Sequence, residues 1–270
     1  MSGTTRPMGS PLIEVTGLTM AYGERIIQRD VTFNVNRGDI FIIMGGSGCG
    51  KSTLLRHLVG LHRPAAGRVA YDGEDFWVLT ADERQRIMRR FGVLYQSGAL
   101  WSSMTLAENM ALPLEQYTDL AAGEIADLVS FKLALVGLAG FEGFYPSEIS
   151  GGMKKRAGLA RAMALDPDIL FFDEPSAGLD PITSRQLDDL ILELRDSLGS
   201  TVVAVTHELA SIFAIGNNSV FLDGEAGTML ASGDPQRLRD ESEVTVVRRF
   251  LTRGESDRPT GGATLQRGDG

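Results

Sequence analysis

The chain has 270 residues, 43% of them hydrophobic and 23% charged, a balance that allows one large globular domain with a subdomain. Lys and Arg number 26 against 35 Asp and Glu, and the net charge of −9 argues against a nucleic-acid-binding protein. A single cysteine, Cys49, excludes an internal disulfide framework and a cysteine-based zinc finger; with only three histidines it leaves little for a metal site and suits a reducing compartment.

Residues 1–11 are polar and read as a disordered lead-in, without the apolar segment or cleavage pattern of a secretory signal. Leu12, Glu14 and Val15, and then Val31, Phe33 and Val35, carry the pattern of half-buried antiparallel strands. Residues 39–44 (DIFIIM) form a continuous apolar run, which suits a strand covered on both faces of a parallel sheet. A helix is predicted over 52–61, with Leu54, Leu55, Leu58, Val59 and Leu61 at helical spacing. Strands are predicted at 69–71 and 91–95, separated by a charged helix over 81–90. From about 97 to 165 the pattern is helical. Apolar strands follow at 169–172 and 201–205, with an amphipathic helix over 182–198 between them, and 220–222 and 229–231 predict a hairpin. Residues 236–253 read as a C-terminal helical extension that could brace a dimer, and 254–270 as a disordered tail. No stretch approaches the roughly 18–20 apolar residues of a membrane span, so a soluble chain is expected and any membrane role requires a partner. The architecture implied is α/β: a mostly parallel sheet, an N-terminal antiparallel β subdomain and an inserted α-helical subdomain.

Three motifs carry chemistry. Gly45, Gly46, Ser47, Gly48, Cys49, Gly50, Lys51 and Ser52 satisfy G-x-x-x-x-G-K-[ST], placed between a buried strand and a helix that continues with Thr53. Such a loop turns its N–H groups onto phosphate oxygens, with Lys51 reaching the β- and γ-phosphates of ATP and the Ser52 hydroxyl ligating Mg²⁺. The chain is therefore expected to hold a P-loop NTPase core. Asp173 and Glu174 end a buried strand, where Asp173 suits a Mg²⁺ site and Glu174 suits polarisation of an attacking water. Ser150, Gly151 and Gly152 precede a helix and make a second phosphate-binding helix end, with Ser150 as N-cap. The two phosphate-binding elements read as serving different nucleotides, which predicts a homodimer with each ATP sandwiched between chains.

The ordered set Tyr22, GGSGCGKS, Gln96, ISGGM, ILFFDE, SAGLD and His207 resembles the ATP-binding subunits of ABC transporters, from about residue 12 to 235. The resemblance implies that Tyr22 stacks on adenine and that Gln96 ligates Mg²⁺ and senses the partner. It also implies that Asp180 links the two sites of the dimer and that His207 contacts the γ-phosphate. Met153 stands where many relatives have Gln, outside the phosphate cradle. The run from Tyr145 to Pro181 is similar to the ATPases of mammalian-cell-entry-type lipid transporters, including the system that maintains lipid asymmetry. That likeness implies phospholipid cargo, a separate permease, a mammalian-cell-entry-domain lipid-binding partner, and a place at the cytoplasmic face of the inner membrane.

An importer of a polar solute such as an amino acid shares every catalytic residue named. A soluble relative acting on DNA or ribosomes is disfavoured by the single cassette and the lack of heptad stretches. A metabolite kinase has no need of ISGGM, SAGLD and His207 in this order. Three local expectations complete the reading. Cys49 lies at a helix N-terminus, where a thiol's pKa falls, so its alkylation should block ATP binding. Lys154, Lys155 and Arg156 read as a solvated or dimer-facing helix turn. Leu100, Trp101 and Met104 line either a groove for a membrane subunit's short helix or local core.

Overall fold

A computed structural model describes residues 11–254. Its first sheet is antiparallel, in the order β2-β1-β4-β5, from β1 (Pro11–Tyr22), β2 (Arg25–Asn36), β4 (Ala66–Tyr71) and β5 (Glu74–Asp75). Pro11 already belongs to β1, so the strand begins inside the segment expected to be lead-in, and residues 1–10 lie outside the described residues. The second sheet runs β10-β9-β3-β8-β7-β6, from β3 (Ile40–Gly45), β6 (Phe91–Leu94), β7 (Ile169–Asp173), β8 (Thr201–Val205), β9 (Asn218–Asp223) and β10 (Thr228–Ser232). Its strands pair in parallel except for the β9–β10 hairpin.

The apolar runs behave as continuous runs must when a strand is covered twice. In β3, Ile40, Ile42 and Met44 face one apolar cluster, while Phe41 and Ile43 face the other. In β8, Val202 and Ala204 join the first cluster and Val203 and Val205 the second. One cluster is shared with helices; the other is sealed by the antiparallel sheet and α1 (Lys51–Leu58). Between β6 and β7 lie α3 (Leu106–Tyr117), α4 (Ala122–Leu135), a 3₁₀ turn (Pro146–Glu148) and α5 (Gly151–Ala162). The charged segment before β6 is α2 (Ala81–Met88). Thr80 and Thr105 start α2 and α3 with capping boxes closed by Glu83 and Glu108.

After β7, α6 (Pro181–Leu198) starts at the Asp180 cap and ends at Gly199 in the left-handed conformation. It packs on α7 (Leu209–Ile215), and there the buried Asp188 accepts a 2.9 Å hydrogen bond from Ser211. Burial pushes the Asp188 carboxyl up to about 6, with Glu208 adding in the same direction. Below about pH 4 this group is protonated in folded and unfolded chains alike; between about pH 4 and 6 only the unfolded chain ionises, so stability falls across that window. Asp188→Asn is therefore expected to raise stability at about pH 7.5 by about 1–2 kcal/mol, and to gain nothing near pH 4, measured by urea unfolding.

The C-terminal extension is two helices rather than one, α8 (Pro235–Glu241) and α9 (Thr245–Leu251). Val247 and Leu251 enter the chain's own core, and Phe250 packs edge-on to Phe221 at 5.2 Å. Their buried faces thus pack on this chain's own core. Gly254 donates to the Arg249 carbonyl at 2.9 Å. Residues 255–270, where a disordered tail is expected, lie outside the described residues.

Candidate active site

Three adjacent parallel strands finish level at one edge of the sheet. Ile43 of β3 and Asp173 of β7 both stand opposite Val205 of β8. Ligand sites of open α/β sheets form at this carboxyl edge, because the loops there diverge and helix N-termini point into the gap.

From β3 the chain enters the glycine loop. Gly45 has φ 146°, and a Cβ there would sit 2.2 Å from the Leu222 carbonyl oxygen, so no side chain fits. Gly50, at φ 104°, is the N-cap of α1 and provides no side-chain cap; the first turn also lacks any acidic residue. The N–H groups of that turn, with the positive end of the helix dipole, are left for an anion. Lys51 is buried, and its Nζ donates to the carbonyls of Gly45 at 3.0 Å and Gly46 at 2.9 Å, which holds the ammonium across the loop.

From β7 come the two carboxylates. Asp173 Oδ1 accepts a 3.0 Å hydrogen bond from the Ser52 hydroxyl. Glu174 turns sharply, at φ 52°, and its Oε1 lies 2.8 Å from Nδ1 of His207, which follows β8. Its Oε2 is buried without a hydrogen-bond partner from the protein. One carboxylate oxygen is thus fixed by His207, and the other has no protein donor.

A single cavity of about 730 Å³ is lined by Tyr22, Gly45–Gly48, Gly50–Thr53, Gln96, Glu174 and His207. Tyr22 is exposed at the end of β1, its ring edge-on to His62 at 5.5 Å. Gln96 is exposed on the loop after β6. Ser150, Gly151, Gly152 and Asp180 do not line this cavity. Ser150 Oγ caps α5 by accepting from Met153 N, and Asp180 caps α6 by accepting from Ile182 N and Thr183 N. These two helix ends are neighbours, since a Cβ on Gly152 would meet Thr183 Cγ2 at 2.8 Å. The chain therefore presents two separate groups of site residues.

Two expectations need correction, and the choice left open for Trp101 is narrowed. Cys49 is 2% exposed and does not line the cavity; burial pushes its thiol pKa up, outweighing Lys51, which pulls it down. It packs beside Gly45 and Gly224, where a Cβ on Gly45 would lie 2.8 Å from its sulfur, so the heightened reactivity expected of a thiol at a helix N-terminus does not follow. Lys155 is buried, not solvated: its Nζ donates to the Glu174 carbonyl at 3.0 Å. Trp101 is not core but 59% exposed. Its loop is stapled by Asn109, whose Nδ2 donates to the carbonyls of Trp101, Met104 and Thr105.

Arg25, Ile27 and Phe250 also line the cavity, although no sequence motif marks them. Gln28 is another residue without a sequence cue. Buried in β2, it donates to the Cys49 carbonyl at 2.8 Å and the Asp223 carbonyl at 2.7 Å, pinning the glycine loop to the end of β9. A lone polar residue on the buried side of a strand is the only signal it gives.

A glycine loop opening a helix, a serine–aspartate pair beside it, and a glutamate oriented by histidine define a phosphate-loop ATPase. The ABC transporter family profile matches residues 28–177. The chain is 39% identical over 252 residues to the intermembrane phospholipid transport system ATP-binding protein MlaF of Haemophilus influenzae, covering 93% of this chain and 94% of that protein. It is 43% identical over 245 residues to the probable ribonucleotide transport ATP-binding protein mkl of Mycobacterium tuberculosis, covering 91% of this chain and 67% of that protein. A solved dimeric ATP-binding cassette in a post-hydrolysis state with ADP and Pi superposes with a TM-score of 0.75 and 30% identity, over 83% of this chain and 98% of that one. The chain belongs to the ATP-binding, ATP-hydrolysing subunits of ABC transporters.

Proposed function

We propose that this ATPase powers phospholipid transport between membranes, through a separate permease and a mammalian-cell-entry-domain partner at the cytoplasmic face of the inner membrane. The observation that carries the cargo is the nearly end-to-end match to the MlaF relative, 93% of one chain on 94% of the other. The mkl relative is named for ribonucleotides, but it extends well beyond the matched region. No helix among the described residues is long and apolar enough to cross a membrane. Exposed Trp101, beside a groove lined by Met104, Glu108 and Ala111, is the surface we assign to the permease.

The separation of the two site groups supports a dimer in which each ATP lies between the glycine loop of one chain and the Ser150 turn of the other. Lys51 and the first turn of α1 then bind phosphates, Tyr22 stacks on the adenine, and the partner's Ser150 turn closes over the γ-phosphate. Asp180, which caps α6 beside the Ser150 turn, links the two sites in this reading. The Glu174 carboxylate takes a proton from the attacking water, while His207 holds Oε1 and fixes the carboxylate's direction. ATP binding favours the closed dimer and hydrolysis releases it, which is the mechanical cycle passed to the permease.

The donor set also fits Mg²⁺. Ser52 Oγ and Asp173 Oδ1 stand 3.0 Å apart, and Ser52 and Gln96 both line the cavity. Among the described residues no three His, Cys, Asp or Glu side chains cluster as a metal cage. Oxygen donors without a closed protein cage suit an ion that keeps waters and binds substrate phosphates. Mg²⁺ held by Ser52, Gln96 and Asp173 would neutralise charge on the phosphates.

Purification of Glu174→Gln with ATP from native membranes, followed by mass spectrometry of proteins and lipids, tests the cargo. The expected result is a permease, a mammalian-cell-entry-domain protein and enriched phospholipid. A permease with a solute-binding protein and no lipid enrichment would point to a polar-solute importer. Recovery of no membrane protein would return the chain to the soluble class.

A further inference from the structure

Lys155 has no part in the chemistry described above, yet it is 6% exposed in the body of α5. Lysine is almost never buried without a specific partner, because its ammonium forfeits hydration. Burial pulls its pKa down, and Glu208 and Glu174 oppose that shift. The partner its Nζ finds is the backbone carbonyl of Glu174, at 3.0 Å.

That carbonyl belongs to a residue in an uncommon conformation. Glu174 sits at φ 52°, in the left-handed region that a residue with a long side chain rarely occupies, and such a turn persists only when its surroundings fix it. Its N–H donates to the Val205 carbonyl at 2.9 Å. Both backbone polar groups of Glu174 are therefore held: the N–H from β8, and the carbonyl by Lys155 of α5 together with a longer bond, 3.3 Å, from the Ala177 N–H. The side chain leaves this fixed turn toward His207.

Helix α5 is attached at three places that matter to the site. Its first turn is the Ser150 cap, packed through Gly152 against Thr183. Its far half grips the loop that follows Gln96: Arg161 Nη1 donates to the Ala99 carbonyl at 2.7 Å, and a Cβ on Gly158 would meet the Gly98 carbonyl oxygen at 2.9 Å. Lys155 lies between these ends, on the segment facing Glu174.

We propose that Lys155 is a positioning residue for hydrolysis: it holds the Glu174 backbone from α5, so that the aim of the carboxylate follows the placement of the Ser150 turn and of the loop after Gln96. The inference rests on the ATPase reading of this site. It gives α5 a second role, carrying the state of the dimer interface and of the permease-facing loop to the base within the same chain.

The test compares Lys155→Met, which keeps much of the apolar stem and removes the donor, with Lys155→Arg, which keeps a cationic donor. Loss of a charged hydrogen bond predicts that Lys155→Met lowers kcat by about ten- to a hundredfold, with the Kd for ATP within about twofold of the parent. Lys155→Arg is expected to recover a large part of kcat. In a Glu174→Gln background, Lys155→Met should change the residual rate by less than about twofold, because a residue that acts through Glu174 has nothing left to position. An equal fall in kcat in both backgrounds would overturn the proposal, as would parental kcat in Lys155→Met. If Lys155→Met fails to fold, Lys155→Leu, which also lacks a donor, replaces it in the same cycle and is read by the same criteria. Absence of ATP hydrolysis by the parent chain would instead refute the ATPase reading, a failure distinct from those of the variants.

Discussion

Glu174→Gln is expected to cut ATP turnover by about a hundred- to a thousandfold while leaving ATP affinity intact or tightened. The size follows from what a positioned general base contributes, which is about 10²–10⁴ in rate. The change is nearly isosteric, so the sharp turn at φ 52° and the contacts made by its backbone remain. What disappears is the basicity of the oxygen that lacks a protein partner. A negative charge facing the γ-phosphate is lost as well, so ground-state binding does not suffer. Steady-state phosphate release and a nucleotide titration measure the two effects separately. Turnover within threefold of the parent would remove Glu174 from its assigned role.

Lys51→Ala is expected to act on the other side of that division, by weakening ATP binding itself. Its ammonium is held by two loop carbonyls in a buried position, so it is already directed where phosphate oxygens must lie. Charge-assisted hydrogen bonds of this kind contribute about 1.5–3 kcal/mol, and an affinity loss of about a hundredfold is expected. Thermal or denaturant unfolding reads this directly. At ATP about 100-fold above the parental Kd, the nucleotide stabilises the parent by about 2.7 kcal/mol and the variant by only ~0.4 kcal/mol. Equal stabilisation of both proteins would show that Lys51 does not meet the nucleotide.

The parts of this chain that were legible in the sequence are those where one element carries its own signal. Runs of residues apolar on both sides marked β3, β7 and β8, and the glycine loop with its flanking strand and helix marked the phosphate site. The first hairpin was only half visible. Register shifts between Val15 and Leu18 and between Leu18 and Met20 break the two-residue alternation, so residues 12–15 showed as a strand and the rest of β1 did not. Lys155 read as solvated because neighbouring Lys and Arg residues usually are. Its burial depends on the Glu174 carbonyl, nineteen positions away in the chain. At Cys49 the helix-end rule points one way and burial the other, and burial prevails because the residue is closed in beside Gly45 and Gly224. Phe250 reaches the cavity only because α9 folds back onto β9, which no local pattern encodes.

In the proposed cycle two copies of this chain close on ATP and open after hydrolysis. The mass of Glu174→Gln in solution, followed by light scattering during gel filtration with saturating ATP and then with ADP, tests it most directly. The predicted result is twice the monomer mass in ATP, returning to the monomer in ADP, with Ser150→Arg remaining monomeric in both because its side chain blocks the partner's phosphate. A protein that binds ATP stoichiometrically and stays monomeric would contradict the sandwich, and with it the assignment of the Ser150 turn to a neighbouring chain's nucleotide.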